Sequence, residues 1–257
     1  MKFPGNILYH FRAKKNLALG KAFPEHILNK YFALNNYQIV ENYRKSLLEI
    51  DDSIQVTDFG TGSKRLKSSA RKICDIAATS STTMKFGIFF QKLIQSFKTK
   101  SVLELGTSLG IGTLYFATSS KEIKVTSIEA CPKIHNFTKS LFEQNAIDNV
   151  NLINDDFDSI FDTNKLIDKE FDLVYIDGNH NSKSLLKYYE YIENNLIKKR
   201  CIFIIDDINW STDMFEGWKT LCKRNKDSCK VYFFRMGLIF KNFNDLPAGT
   251  FPINFVN

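Results

Sequence analysis

Hydrophobic positions in this chain fall into two alternating patterns. Short apolar runs come first: Val102-Leu103, Val125 to Ile128, Val150 to Ile153, Phe171 to Ile176 and Cys201 to Ile205. Each spans six residues or fewer and is rich in β-branched or aromatic side chains, which predicts buried strands. Between them lie stretches with helical spacing, Pro132 to Asn145 and Ser182 to Ile197. In the second, Leu185, Tyr188, Tyr189, Ile192 and Leu196 share one face. Strands separated by helices predict a mainly parallel sheet covered on both faces.

The flanks read differently. Residues 1–50 carry helical repeats, with Ile27, Leu28, Tyr31 and Phe32 in one and Val40, Tyr43, Leu47 and Leu48 in another. Ile73 to Ala78 and Met84 to Phe97 continue the helical pattern. The latter has a wide stripe of Phe86, Phe89, Phe90, Leu93, Ile94 and Phe97. At the far end, Lys230 to Phe234 and Gly237 to Phe240 predict an antiparallel pair at one edge of the sheet. The expected division is a mainly helical extension over 1–82, acting as a cap, and a sheet domain over 83–257.

The stretch Ser101 to Ala117, SVLELGTSLGIGTLYFA, joins a strand to a helix through Gly106, Gly110 and Gly112. Such a turn lets backbone approach a ligand closely. A dinucleotide fingerprint requires G-x-G-x-x-G, whereas the order here is G-x-x-x-G-x-G. A phosphate-binding P-loop requires a Gly-Lys pair after the turn, and positions 111 and 112 are Ile and Gly. A second glycine stretch, Asp58 to Ser63 with Gly60 and Gly62, precedes a basic cluster of Lys64, Arg65, Lys67, Arg71 and Lys72 and reads as a loop.

The predicted strands deliver acids to one rim of the sheet: Glu104, Glu129, Asp156, Asp177, Asp206 and Asp207. In an open α/β sheet ligands bind beyond the carboxyl ends of the strands. One loop acid needs no explanation, but a full set fits a ligand with a cation, ribose hydroxyls and an exocyclic amine.

Composition and charge change this picture little. Apolar residues make up 44% and charged residues 25%, as in ordinary globular proteins. The N-terminus lacks the apolar run of a signal peptide, and no window approaches a membrane span. Five scattered cysteines without a C-x-x-C imply neither a zinc site nor a disulfide framework. A reduced, cytoplasmic setting is expected. The net charge of +7 is uneven, with 17 Lys/Arg against 7 Asp/Glu over residues 1–100. That excess is read either as a solvated surface or as docking for nucleic acid or an acidic substrate.

The E-x-G-x-x-x-G of Glu104, Gly106 and Gly110 resembles motif I of the class I S-adenosylmethionine (SAM) methyltransferases. Phe171 to His180, FDLVYIDGNH, resembles the F-D-x-V-x-I-D-G-x-H run of the O-methyltransferases of the catechol and sugar types. Together these residues imply a Rossmann-like methyltransferase sheet from about residue 84 to 241, with SAM as cofactor. By that resemblance Glu104, Gly106, Thr107, Ser108 and Gly110 surround the methionine end of SAM. Glu129 takes the ribose hydroxyls, Asp156 (or Asp155) the adenine amine, and Phe157 the ring. Asp177 lies beside both cofactor and acceptor.

Ile204 to Asp207 resembles the strand that supplies metal ligands in the catechol type. The implied set is Asp177, Asp206 and Asp207, with Mg²⁺ as the metal. It departs from the family's Asp, Asp and Asn at the third position. His180 is the expected general base, since an imidazole accepts a proton near neutral pH. The other histidines, His10, His26 and His135, lie in helical patterns and read as structural.

The implied activity is methyl transfer to a hydroxyl of a small molecule. RNA or protein methylation through the basic N-terminal part, and SAM binding without catalysis, stand as alternatives. No membrane partner is expected. The sequence leaves the oligomeric state open, and a homodimer is compatible with it.

Overall fold

A computed structural model describes residues 37–57, 69–79, 81–233 and 235–252. The helical repeat around Ile27 to Phe32, His10 and His26, the Gly60/Gly62 loop, and Lys64, Arg65 and Lys67 lie outside the described residues.

The described chain opens with helix α1 (Tyr37–Leu48), followed by the short strands β1 (Ser53–Gln55) and β2 (Ala70–Lys72). Helices α2 (Ile73–Thr79) and α3 (Met84–Phe97) follow. The sheet domain then runs β3 (Ser101–Leu105), α4 (Ile111–Ala117), β4 (Lys124–Glu129), α5 (Pro132–Gln144), β5 (Val150–Asn154) and α6 (Phe157–Asp162). It continues with β6 (Phe171–Ile176), α7 (Ser182–Asn195), β7 (Ile197–Ile205) and α8 (Thr212–Arg224). Strands β8 (Cys229–Tyr232), β9 (Gly237–Lys241) and β10 (Gly249–Pro252) close it.

The eight-stranded sheet has the order β10-β8-β9-β7-β6-β3-β4-β5. β7, β6, β3, β4 and β5 are parallel neighbours, and β9 is antiparallel to both β7 and β8. The sheet is therefore mostly parallel with antiparallel pairing at one end, as its strand pattern predicts. The β8–β9 pair is not the outermost, however. β9 sits inside β8, and β10 runs parallel to β8 beyond it.

Two other boundaries differ from the pattern. The helix expected to reach Ile197 ends at Asn195, because Ile197 already pairs with Phe171 as the first residue of β7. Leu48, placed on the inner face by its spacing, is 43% exposed at the last turn of α1.

Each face of the sheet carries its own core. Phe89, Phe90, Leu93 and Ile94 of α3 pack with Phe116, Tyr175 and Phe240 on one side. Tyr188, Tyr189, Ile192 and Trp218 of α7 and α8 pack with Val174 and Phe203 on the other. A third core joins the N-terminal elements to the sheet domain. It unites Val40, Tyr43 and Leu47 of α1 with Leu109, Leu114, Tyr115 and Phe142. Burying each such side chain contributes roughly 1.5–3 kcal/mol, so α1 is part of the folded unit.

Polar contacts fix the same docking. The Tyr43 hydroxyl donates to the Leu109 carbonyl at 2.9 Å, and the Tyr115 hydroxyl donates to Glu41 at 2.5 Å. Arg44 donates through its guanidinium to the Thr82 carbonyl. Among the described residues, no helix is long and apolar enough to cross a membrane.

Candidate active site

The strand register builds the site. Leu105, Ile128, Ile176 and Ile205 are paired neighbours at the carboxyl ends of β3, β4, β6 and β7. The next residues along the chain therefore stand side by side: Glu129, Gly106, Asp177 and Asp206. The Asp177 N–H donates to Leu105 and the Asp206 N–H to Ile176, carrying the ladder one step past the strands. The chain reverses its order at β3, with β4 on one side and β6 on the other. That switch point is where ligands enter such sheets.

A solvent-open cleft lies there, lined by Ser81, Thr82, Glu104, Gly106, Thr107, Ser108, Leu109, Ile111, Gly112, Tyr175 and Asp177. Gly106 (φ +106°) is required by close approach, since a Cβ would sit 2.2 Å from the Asp177 carbonyl oxygen. Gly110 (φ +77°) fills a similar role at the start of α4, where a Cβ would lie 2.5 Å from the Phe142 ring. Ser81 and Thr82 have no counterpart in the sequence reading. The crossing from α2 to α3 carries them over Gly112, and no motif marks them.

Glu104 is buried in the cleft wall. It accepts from Thr113 Oγ1 and Ser127 Oγ, both at 2.5 Å, and Thr107 Oγ1 lies 2.6 Å from Ser127 Oγ. Burial pushes its carboxyl up to about 7, against the pull of the two hydroxyl donors. Glu129 stands at the end of β4 and accepts from the Ser108 and Cys131 backbone N–H groups, each at 2.9 Å. It fastens the glycine loop, whose Ser108 has φ +50°, to the neighbouring strand.

The far end of the rim carries Asp155, Asp156 and Phe157. Asp156 caps α6, a helix absent from the sequence pattern, by accepting from the Ser159 N–H at 2.9 Å. Phe157 packs against Gly178 and meets Tyr188 edge-on, with ring centroids 5.7 Å apart. Asp155 is paired with Lys165. Glu129, Asp156 and Phe157 lie along the rim and outside the cleft lining.

On the β6–β7 side, Asp177 is driven well above the usual carboxylate range. Burial is the first cause and the nearby Asp206 charge the second, offset by Arg235. The Tyr175 hydroxyl reaches Asp206 at 2.6 Å and Asp177 at 3.1 Å. His180 Nε2 is 3.9 Å from Asp207 Oδ2, and its ring lies 5.2 Å from that of Trp210. Asp177, His180 and Asp207 each offer a ligand atom, and these atoms lie within 4.8 Å of one another.

The trio of Asp177, Asp206 and Asp207 does not fit Mg²⁺ as found. Asp206 Oδ1 accepts from Arg235 Nε at 2.6 Å and from the Asp207 N–H at 2.7 Å. Its Oδ2 accepts from Arg235 Nη2 at 2.9 Å and from Tyr175 at 2.6 Å. A carboxylate offers about four lone-pair sites, and all four are filled.

The fold, the glycine loop and the acid-lined rim resemble those of the class I SAM-dependent methyltransferases. Residues 103–208 match a family model described as a methyltransferase domain. No curated protein sequence matches the chain significantly.

Several solved structures share the fold. One is a protein from Staphylococcus aureus provisionally named a caffeoyl-CoA O-methyltransferase, with 18% identity, a TM-score of 0.58, and 65% of this chain and 88% of that chain covered. Another is the methyltransferase PaMTH1 of Podospora anserina bound to S-adenosylhomocysteine (SAH), with 16% identity, a TM-score of 0.57, and 93% and 97% covered. A third is an O-methyltransferase of Bacillus cereus in complex with SAH, with 17% identity, a TM-score of 0.55, and 84% and 96% covered.

Proposed function

We propose that the protein methylates a hydroxyl oxygen of a small molecule. The observation that carries this reading is His180, an imidazole held beside Asp207 and Trp210 next to the Asp177 rim. A base at that position suits an acceptor that must lose a proton as it is methylated. The O-methyltransferase names of the structural neighbours point the same way.

SAM supplies a methyl group on a sulfonium that is already activated. The protein's part is to position, to desolvate and to move one proton. Glu104 and the Gly106–Gly110 loop would hold the methionine end, with Ser81 and Thr82 on the opposite wall of the cleft. Glu129, at the end of β4, would take the ribose hydroxyls. The second oxygen of Asp156 takes the adenine amine, and Phe157 covers the ring. Asp177, in the cleft lining, would lie toward the sulfonium.

With SAM bound, the acceptor oxygen would take the methyl group as the carbon–sulfur bond breaks, and His180 Nε2 would receive the hydroxyl proton. The products are a methyl ether and SAH. Alignment of the reactants alone is worth roughly 7–11 kcal/mol. Helix α1 would brace the rim of this cleft from outside the sheet, since Arg44 holds the Thr82 carbonyl.

The test is a panel of hydroxylated metabolites with methyl-labelled SAM. The expected product carries the label on oxygen. Label found only on nitrogen, carbon or RNA would overturn the reading.

A further inference from the structure

Arg235 lies in the turn between β8 and β9, far in sequence from the acids it meets. Its guanidinium grips both oxygens of Asp206, and its Nε stands 3.1 Å from Asp207 Oδ1. The side chain is 36% exposed, whereas Asp206 is almost fully buried. Burial works against the guanidinium charge, but Asp206 outweighs it and holds Arg235 firmly protonated. A planar fork matched to a carboxylate makes a stronger and more directional pair than a point charge.

We propose that Arg235 is the resident cation of this acid rim and takes the place of a divalent ion. Three observations lead there. The four lone-pair sites of Asp206 are filled by Arg235, Tyr175 and the Asp207 N–H. An octahedral ion that binds carboxylates at about 2.0–2.1 Å would have to displace one of these donors. The guanidinium also touches Asp207, so any ion bridging Asp177, His180 and Asp207 would sit beside a fixed positive charge. Finally, the pair orders Asp207, a non-glycine residue at φ +51°, with one oxygen toward Arg235 and the other toward His180. Arg235 is thus a positioning residue, acting on the base through Asp207.

The idea deepens the proposed methyl transfer and rests on it only for the role of His180. Its test is therefore a metal-binding measurement. The full-length protein is titrated with Mn²⁺ and the free ion followed by electron paramagnetic resonance, with SAH affinity measured in parallel by calorimetry. The wild type is expected to leave the Mn²⁺ signal undiminished and to turn over equally with and without chelator. Arg235→Met, which frees both oxygens of Asp206, is expected to bind Mn²⁺ at least tenfold more tightly than the wild type. Arg235→Lys, which keeps the charge, is expected to restore exclusion of the ion.

Stoichiometric Mn²⁺ binding by the wild type that is lost in Asp206→Asn would overturn the proposal. So would a folded Arg235→Met protein that still excludes the ion. If Arg235→Met does not fold, Arg235→Gln serves the same comparison, and the wild-type titration decides alone if neither folds. Failure of methyl transfer to oxygen, with SAH bound and Mn²⁺ excluded, would count against the acceptor assignment and leave the resident cation standing.

Discussion

The backbone N–H of Ser108 points at the carboxylate of Glu129, 2.9 Å away across the gap between β3 and β4. One acid thereby holds the glycine loop from the neighbouring strand. Glu129→Ala should weaken SAH binding by more than tenfold, since bonds to a charged acceptor are worth about 1.5–3 kcal/mol. Calorimetry would read this, and unchanged affinity would remove Glu129 from the cofactor site.

Glu104 makes the site sensitive to pH. Its folded-state carboxyl is pushed up to about 7 from an ordinary value of 4.5. The folded protein therefore holds this proton more tightly than the unfolded chain does. The resulting stability, roughly 3 kcal/mol, is fully present below pH 4.5 and is lost as pH rises through 7. Denaturant titrations of Glu104→Gln should show no such slope.

The same group couples to the cofactor. A sulfonium or ammonium nearby favours the carboxylate, so SAM binding should release a proton below pH 7. Calorimetry in buffers of different ionisation heat would detect it. A proton count of zero at pH 6 would contradict the placement of Glu104 beside the methionine end.

His180→Ala should lower kcat by about 10²-fold or more while leaving SAH affinity near wild type. The acidic limb of the pH–rate profile should flatten in the variant. Loss of SAH binding instead would make His180 a structural residue.

Gly106→Ala places a Cβ 2.2 Å from a backbone oxygen at a φ that L side chains avoid. Both β3 and β6 would have to shift. We expect SAH binding to fall below detection and the melting temperature to drop by several degrees, a combination that differential scanning calorimetry would check.

Much of this was visible in the pattern of the chain. Strand ends marked by Glu104, Glu129, Asp177 and Asp206 could be read because parallel strands are continuous apolar runs that stop at the ligand rim. Helix α3 was legible for a related reason, because a stripe as wide as Phe86 to Phe97 has few other uses. What escaped was short or long-range. α6 is six residues long and begins on its capping acid, Asp156. α8 buries only a few large side chains, Met214, Trp218 and Leu221, between charged positions. β10 pairs parallel to β8 through just four residues, and nothing local announces that partner.

The site followed the same rule. Local motifs carried the loop and the DGNH turn. Arg235 and Thr82 reach the rim only because the sheet and α1 bring them there, and no spacing in one sequence encodes that. Asp206 is legible as a rim residue because it follows the apolar run of β7. Its partner was not, since a single arginine in a turn between strands has no distinctive pattern.

Helix α1 grips two segments of the cofactor cleft, Leu109 through Tyr43 and Thr82 through Arg44. Linkage makes that grip reciprocal. Whatever free energy an ordered Thr82 and Leu109 contribute to holding SAM must return, in equal measure, as tighter docking of α1 when SAM is bound. Residues 37–48 and a ligand of this cleft would thus be thermodynamic partners. A ligand gripping the outer face of that helix would be felt at the sulfonium.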